Sequence, residues 1–343
     1  MSDGRALRSW LQKLVLLVVA TLPAAFHSQG ASLDSSVIGM FPKNTQDFGY
    51  ANLSKARELS WFPQFEAQMV PVSLFGVEQL LKSIQIQQTS PIDEVAWANV
   101  DSREGEAALS SSKGSADGNR QPVVVAIGNF DAARIQTFVD SKKIPSVQIG
   151  DYTLYPADTG PGANDVFFAV LDAQTMVVGS LEPLKRVLKT RDGEEENLLQ
   201  NAPMMSLIEK ENGEGIFWDV LDRSSAGSAI RRLVPGAASF SQSRDLIGKV
   251  SVLLITVKAV DDIELHFQAA CDSPSNALVV SQLLQAGVLM RRYQLKDLND
   301  SEIESLFDAL RIAPDGNLVD IALELTNEQI TNLIEHNIFV MRM

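Results

Sequence analysis

The 343-residue chain holds a single cysteine and three histidines, and only 7% of its residues are aromatic. One cysteine cannot close an intramolecular disulfide, so the fold must be held by its core. Cys271 follows an apparent strand and reads as a small buried residue rather than a nucleophile. Histidine is equally sparse in useful places. His27 lies in the amino-terminal segment, His266 alternates with Glu264 and Gln268 on the polar face of a predicted strand, and His336 ends the last predicted helix. No H-x-x-x-H or clustered Cys/His spacing exists, so a zinc site would have to be built from scattered carboxylates.

The G-x-S-x-G elbow and the G-x-x-x-x-G-K-[ST] phosphate loop are both missing. Gly160-Pro161-Gly162 opens no helix and reads as a turn. Asp297, Asn299, Asp300 and Glu302 resemble a calcium loop in composition only. Glu302 and Asp308 stand where that loop needs Gly at its sixth position and Glu at its twelfth. No catalytic, cofactor-binding or metal-binding residue is therefore assigned, and no cofactor is expected.

Positive charge is scarce as well, with 29 Lys and Arg against 43 Asp and Glu and a net charge of −14. Residues 1–30 carry Arg5, Arg8 and Lys13 against Asp3, a net of +2, which leaves −16 for the remainder. So acidic a body repels phosphate backbones, and Arg231-Arg232 and Arg291-Arg292 are isolated pairs; nucleic acid is excluded as a partner. Long apolar runs are lacking too. The one candidate, Leu14 to Ala20 continuing to Ala25, spans about a dozen residues, short of the roughly 20 needed to cross a bilayer. Behind its basic flank it reads as a signal peptide over residues 1–30, with Ser28 and Gly30 suiting cleavage before Ala31. The chain is expected to be exported, to the periplasm or beyond, with no membrane-spanning segment in the mature form. An uncleaved amino-terminal anchor is the alternative.

What is present is a globular composition, 45% hydrophobic and 21% charged. Residues 101–121 are small and polar and predict a disordered insertion. It lies between two β-rich runs, Glu94 to Val100 and Pro122 to Ile127, expected to be antiparallel neighbours. A second polar stretch, Thr190 to Asn197, reads as a solvated connector. It divides the chain into a first half, 31–197, and a second half, 198–343.

A weak internal duplication supports that division. Phe48 to Leu53 reads as a strand delivering Ser54 as a helix N-cap, and Ile216 to Leu221 has the same form with Asp222 as the cap. The helices that follow are expected to end at Met69-Val70-Pro71 and Leu233-Val234-Pro235. Ile92 to Trp97 would then match Ile247 to Val252, and Val123 to Ile127 would match Ile263 to Phe267. Helices near Asp131 to Ser141 and near Asn276 to Arg291 come next. In the first half, Tyr152 to Tyr155, Val166 to Leu171 and Thr175 to Gly179 read as short strands, with Asp172-Ala173-Gln174 as a tight turn and Ser180 as a cap. In the second, Leu318 to Leu325 alternates with period 2 and Thr326 caps the final helix. The expected fold is α+β: two similar halves, each with a mainly antiparallel sheet and packed helices.

Ile92-Asp93-Glu94-Val95-Ala96-Trp97, followed by Phe167-Phe168-Ala169-Val170-Leu171-Asp172 leading to Val177-Val178-Gly179 and an amphipathic helix, resembles uncharacterised exported bacterial proteins. In these a "strand, Asp turn, V-V-G, helix" unit recurs in a large α+β body. The resemblance would cover most of residues 35–335. It implies a fold and a compartment, and carries no activity and no catalytic residue.

The leading functional expectation is a non-enzymatic exported binding or scaffold protein of the bacterial cell envelope, with a groove between its halves for an unknown protein partner. The alternative is a carrier or sensor of an apolar small molecule, with Trp61, Trp97 and Trp218 lining the pocket. A third reading is a hydrolase that works with Asp and Glu alone.

Overall fold

The computed structural model describes residues 32–63, 92–101, 120–157, 166–226, 248–259, 262–296 and 309–335. Its strands are β1 (Asp47–Asn52), β2 (Ile92–Asp101), β3 (Arg120–Gly128), β4 (Val147–Ile149), β5 (Tyr152–Pro156), β6 (Val166–Val170), β7 (Thr175–Ser180), β8 (Phe217–Asp222), β9 (Val250–Ala259), β10 (Ile263–Cys271), β11 (Arg311–Asp315) and β12 (Leu318–Leu325). They form a single sheet in the order β11-β12-β10-β9-β8-β1-β2-β3-β7-β6-β5-β4, antiparallel throughout. With the helices this is an α+β fold. The two runs flanking the polar insertion pair as expected, from Ile92↔Gly128 to Asp101↔Arg120.

The helices are α1 (Ser35–Ile38), α2 (Leu53–Ala56), α3 (Ala132–Lys142), α4 (Leu181–Arg191), α5 (Ala202–Glu211), α6 (Pro274–Lys296) and α7 (Asn327–Glu335), with a 3-10 turn at Leu198–Gln200. On one face of the sheet α1, α4, the 3-10 turn and α5 bury Val37, Leu184, Val187, Leu198 and Ile208 against Phe48, Tyr50, Val125 and Trp218. We call this the near face. The far face carries two separate cores. One holds Ile135, Val139 and Ile330 of α3 and α7 with Met176 and Val178; the other holds Ala277 and Val280 of α6 with Leu221, Leu253 and Cys271.

This unequal cover explains two different strand patterns. β3 and β7 are buried on both faces and read as continuous apolar runs, Val123-Val124-Val125-Ala126 and Met176-Val177-Val178. Near-face positions of β10 and β12 are half-buried, and there Glu264, His266, Gln268 and Asp320 alternate with apolar residues. The polar placing of His266 therefore holds, and Cys271 is buried as expected.

Local chemistry corrects two details and refines a third. Asn52, not Ser54, caps α2: its side chain accepts from the Lys55 N–H at 2.9 Å, and Ser54 Oγ itself donates to Asn52. The helix stops at Ala56, with turns from 57 to 61, so Trp61 lies beyond it. The endings expected at Pro71 and Pro235, the Gly160 turn, the Asp297 stretch, residues 1–31 and most of the insertion lie outside the described residues. Thr326 does cap α7, in a reciprocal box in which Gln329 N–H donates to Thr326 Oγ1 and Thr326 N–H to Gln329 Oε1.

The third concerns the acidic stretch after α4, which is exposed from Arg191 to Glu194 and again at Glu196, as a solvated connector is, but is also anchored to the body. Arg186 is buried at 4% exposure; its guanidinium donates to Glu195 Oε2 at 2.8 Å, to the Asp101 carbonyl at 2.9 Å and to Asn44 Oδ1 at 3.3 Å. Lys43 N–H donates to the Glu196 carbonyl, and Leu198 N–H to that of Phe41. The stretch is thus clamped to residues 41–44 and to the end of β2. Removing the cation would strand the Glu195 carboxylate, so Arg186→Ala should cost about 3 kcal/mol in urea unfolding at neutral pH. Lys43→Ala, which removes the exposed pair with Glu196, should cost no more than about 1 kcal/mol.

Candidate functional site

Strand alternation decides where the three tryptophans go. In the β1–β8 ladder Tyr50 pairs with Trp218 and Gly49 with Asp219, while in β1–β2 Gly49 pairs with Trp97. Successive residues point to opposite faces, so Trp218 lies on the near face and Trp97 on the far face. Trp218 is fully buried, its ring 5.6 Å from Tyr50 and 5.7 Å from Phe48. Trp61 is buried at the edge of the α3 core against Phe62. The structure does not bring the three together, and only Trp97 remains half-buried.

Trp97 rests flat across β1 because Gly49 leaves room for it. A Cβ at Gly49 would come within 2.2 Å of the indole ring. Its ring also meets Phe217, with centroids 5.3 Å apart. From Trp97 the far-face row runs through Gly49, Asp219, Ile255, Phe267 and Ile321; the next row runs through Val95, Ala51, Phe217, Val257, Leu265 and Leu323. Apart from Gly49 and Val95 these residues are half-buried, and they lie between the α3–α7 core and the α6 core. The result is an aromatic and aliphatic strip on a rigid sheet.

One polar group sits in its middle. Asp219 is half-buried as a residue, but its Oδ1 is sealed from water and has no hydrogen-bond partner. Burial, and then the negative charge of Asp47, push its carboxyl up to about 8. Asp47, two positions along β1 from Gly49, accepts from Asn99 N–H at 2.6 Å and from Asn99 Nδ2 at 2.5 Å. Composition and motif searches pass over both acids. The available signal was Asp219 itself, a lone carboxylate inside the apolar run Ile216-Phe217-Trp218-Asp219-Val220-Leu221.

The near face offers different chemistry. His266 Nε2 lies 2.6 Å from Glu264 Oε1, and Gln268 donates to Asp320 at 2.7 Å. Tyr50 is pushed up by its burial and by Glu94, and Glu94 is itself pushed up by desolvation. Among the described residues no three His, Cys, Asp or Glu side chains gather as a metal site.

Asp219 should leave a signature in stability. Its folded pKa is raised, so the folded state holds a proton that the unfolded chain has already lost. Stability is therefore full below about pH 4 and falls until about pH 8. With solvent screening of a half-buried residue the loss is about 2 kcal/mol. Urea unfolding of Asp219→Asn should lack this slope and show a gain of that size near pH 8.

No family model and no curated protein matches the chain. Among solved structures it is similar to TP0453. Crystal form I shares 10% identity over 90% of this chain and 99% of that one, with a TM-score of 0.47. Crystal form III shares 8% identity over 87% and 97%, also at 0.47.

Proposed function

We propose that this chain is an exported, non-enzymatic binding protein and that the far-face strip around Trp97 receives an apolar small molecule. The observation that carries this reading is the half-buried pair of rings, Trp97 over Gly49 and Phe217 tilted against it with centroids 5.3 Å apart. Binding sites are typically apolar with a few placed polar groups, and Asp219 supplies one here. Export rests on the basic flank and apolar run of residues 1–30. No helix among the described residues is long and apolar enough to cross a membrane. Native mass spectrometry of protein purified from its own exported fraction should give a mass excess that denaturation removes. The excess should fall at least about tenfold in Trp97→Ala, a loss of about 1.4 kcal/mol. A bare mass in the wild type would count against a small ligand and favour a scaffold for protein partners.

We also infer that residues 31–197 and 198–343 are duplicated halves. Outward from the β1–β8 seam the strand orders are β1-β2-β3-β7-β6 and β8-β9-β10-β12-β11. The first three strands of each series are 6, 10 and 9 residues long. The seam also ends in matching bonds, Asn52 N–H to the Ile216 carbonyl and Asp222 N–H to the Gln46 carbonyl, both 2.8 Å. A local dyad between Gly49 and Asp219 would account for them. Expressed as separate chains, the two halves should co-purify one to one through β1 and β8. Stable, non-associating monomers would count against this arrangement.

A further inference from the structure

We propose that the strip admits an uncharged apolar molecule and does so only while the Asp219 carboxyl carries its proton. This deepens, and rests on, the binding reading above. Asp219 sits at the centre of the row, with Gly49, Phe217, Leu221 and Ile255 as its nearest ladder neighbours on that face. The side chain has one sealed oxygen with no donor. The other titratable groups at far-face positions of β1, β2, β8 and β9, among the described residues, are Asp47 and, towards the two ends of β2, Asp93 and Asp101. All three are acids. The cations on that side stand at its margins, Arg57 donating to the Ile92 carbonyl at 2.6 Å and Lys249 preceding β9 near Cys271, while Lys258 pairs with Glu214, and Lys210 with Gln268 on the near face.

The physical consequence follows from charge. Protonated, Asp219 leaves the strip neutral. Ionised, it puts a second negative charge near Asp47 on the same face, and a molecule settling on the strip would close off what water still reaches the half-buried side chain. Covering a carboxylate that has only the Val220 N–H to support it and no donor at Oδ1 is costly. Ligand and proton therefore favour one another, and by linkage each raises the affinity of the other. The window is set by the protein: burial holds the proton up to about pH 8. An organic cation would show the opposite sign, because it would gain from the ionised pair.

The test uses N-phenyl-1-naphthylamine, uncharged across the range, titrated into the mature chain between about pH 6.5 and about pH 9.5, with circular dichroism confirming the fold. Its dissociation constant should rise about tenfold over that range. Asp219→Asn should bind at both ends as tightly as the wild type does at the acid end; if that variant fails to fold, Asp219→Ser serves. A flat wild-type profile, with binding that Trp97→Ala still abolishes, overturns the proton link and leaves the strip as the site. Binding that Trp97→Ala leaves unchanged removes the strip itself. Tetraphenylphosphonium binding more tightly than the neutral probe, and more so with rising pH, would assign the strip to organic cations and overturn the proposal.

Discussion

Five backbone register pairs between β1 and β8 join strands distant in sequence, and every other layer depends on that seam. It sets Phe48, Tyr50 and Trp218 side by side on the near face, where α1, α4 and α5 cover them. Each buries enough apolar surface to contribute about 2–3 kcal/mol. The same register puts Gly49 opposite both Trp97 and Asp219 on the far face. A slip of one residue would exchange the two sets, driving Asp219 into the larger core and exposing Trp218. Register is thus held from both sides, by aromatic burial on one and by the fit of an indole over a glycine on the other.

Cover on the two faces is not symmetric about the seam. β3 and β7 lie between α3 and α4, with packing on both sides, whereas β10 and β12 carry α6 on the far face and, among the described residues, half-buried polar side chains on the near one. The amphipathic strands can therefore give near-face positions to polar pairs, Gln268 with Asp320 across β10 and β12 and His266 with Glu264 along β10. The doubly covered strands have no such latitude.

Much of this was legible from the order of residues. Period-2 alternation in 318–325, the Val-rich run at 123–127 and the Asp172 turn each mark an element that the structure contains. Side-chain choice at strand ends was harder: Asn52 and Ser54 are both good caps, and only the strand's last residue in the ladder separates them. The suggested match of Ile92 to Ile247 also differs from the ladder, in which Ile92 and Val250 open strands of equal length. Composition cannot supply a register. Nor could it show that an exposed acidic stretch is tied down at Glu195 by Arg186, a buried cation contributed by the preceding helix. The tryptophans were separated by the simplest rule, strand parity, once the pairing of Gly49 with both Trp97 and Asp219 was known.

The two outermost strands are unlike the interior. β4 is three residues long. β11 is mostly exposed and carries Arg311 and Asp315 at its ends and Pro314 opposite Val319. Proline has no N–H to offer a neighbour, and charged or very short edges resist docking by another chain. A sheet this wide would otherwise be a template for open-ended addition, one molecule after another. Closed off at both margins, it leaves self-association to its faces and helices, and keeps strand pairing an internal affair of one polypeptide.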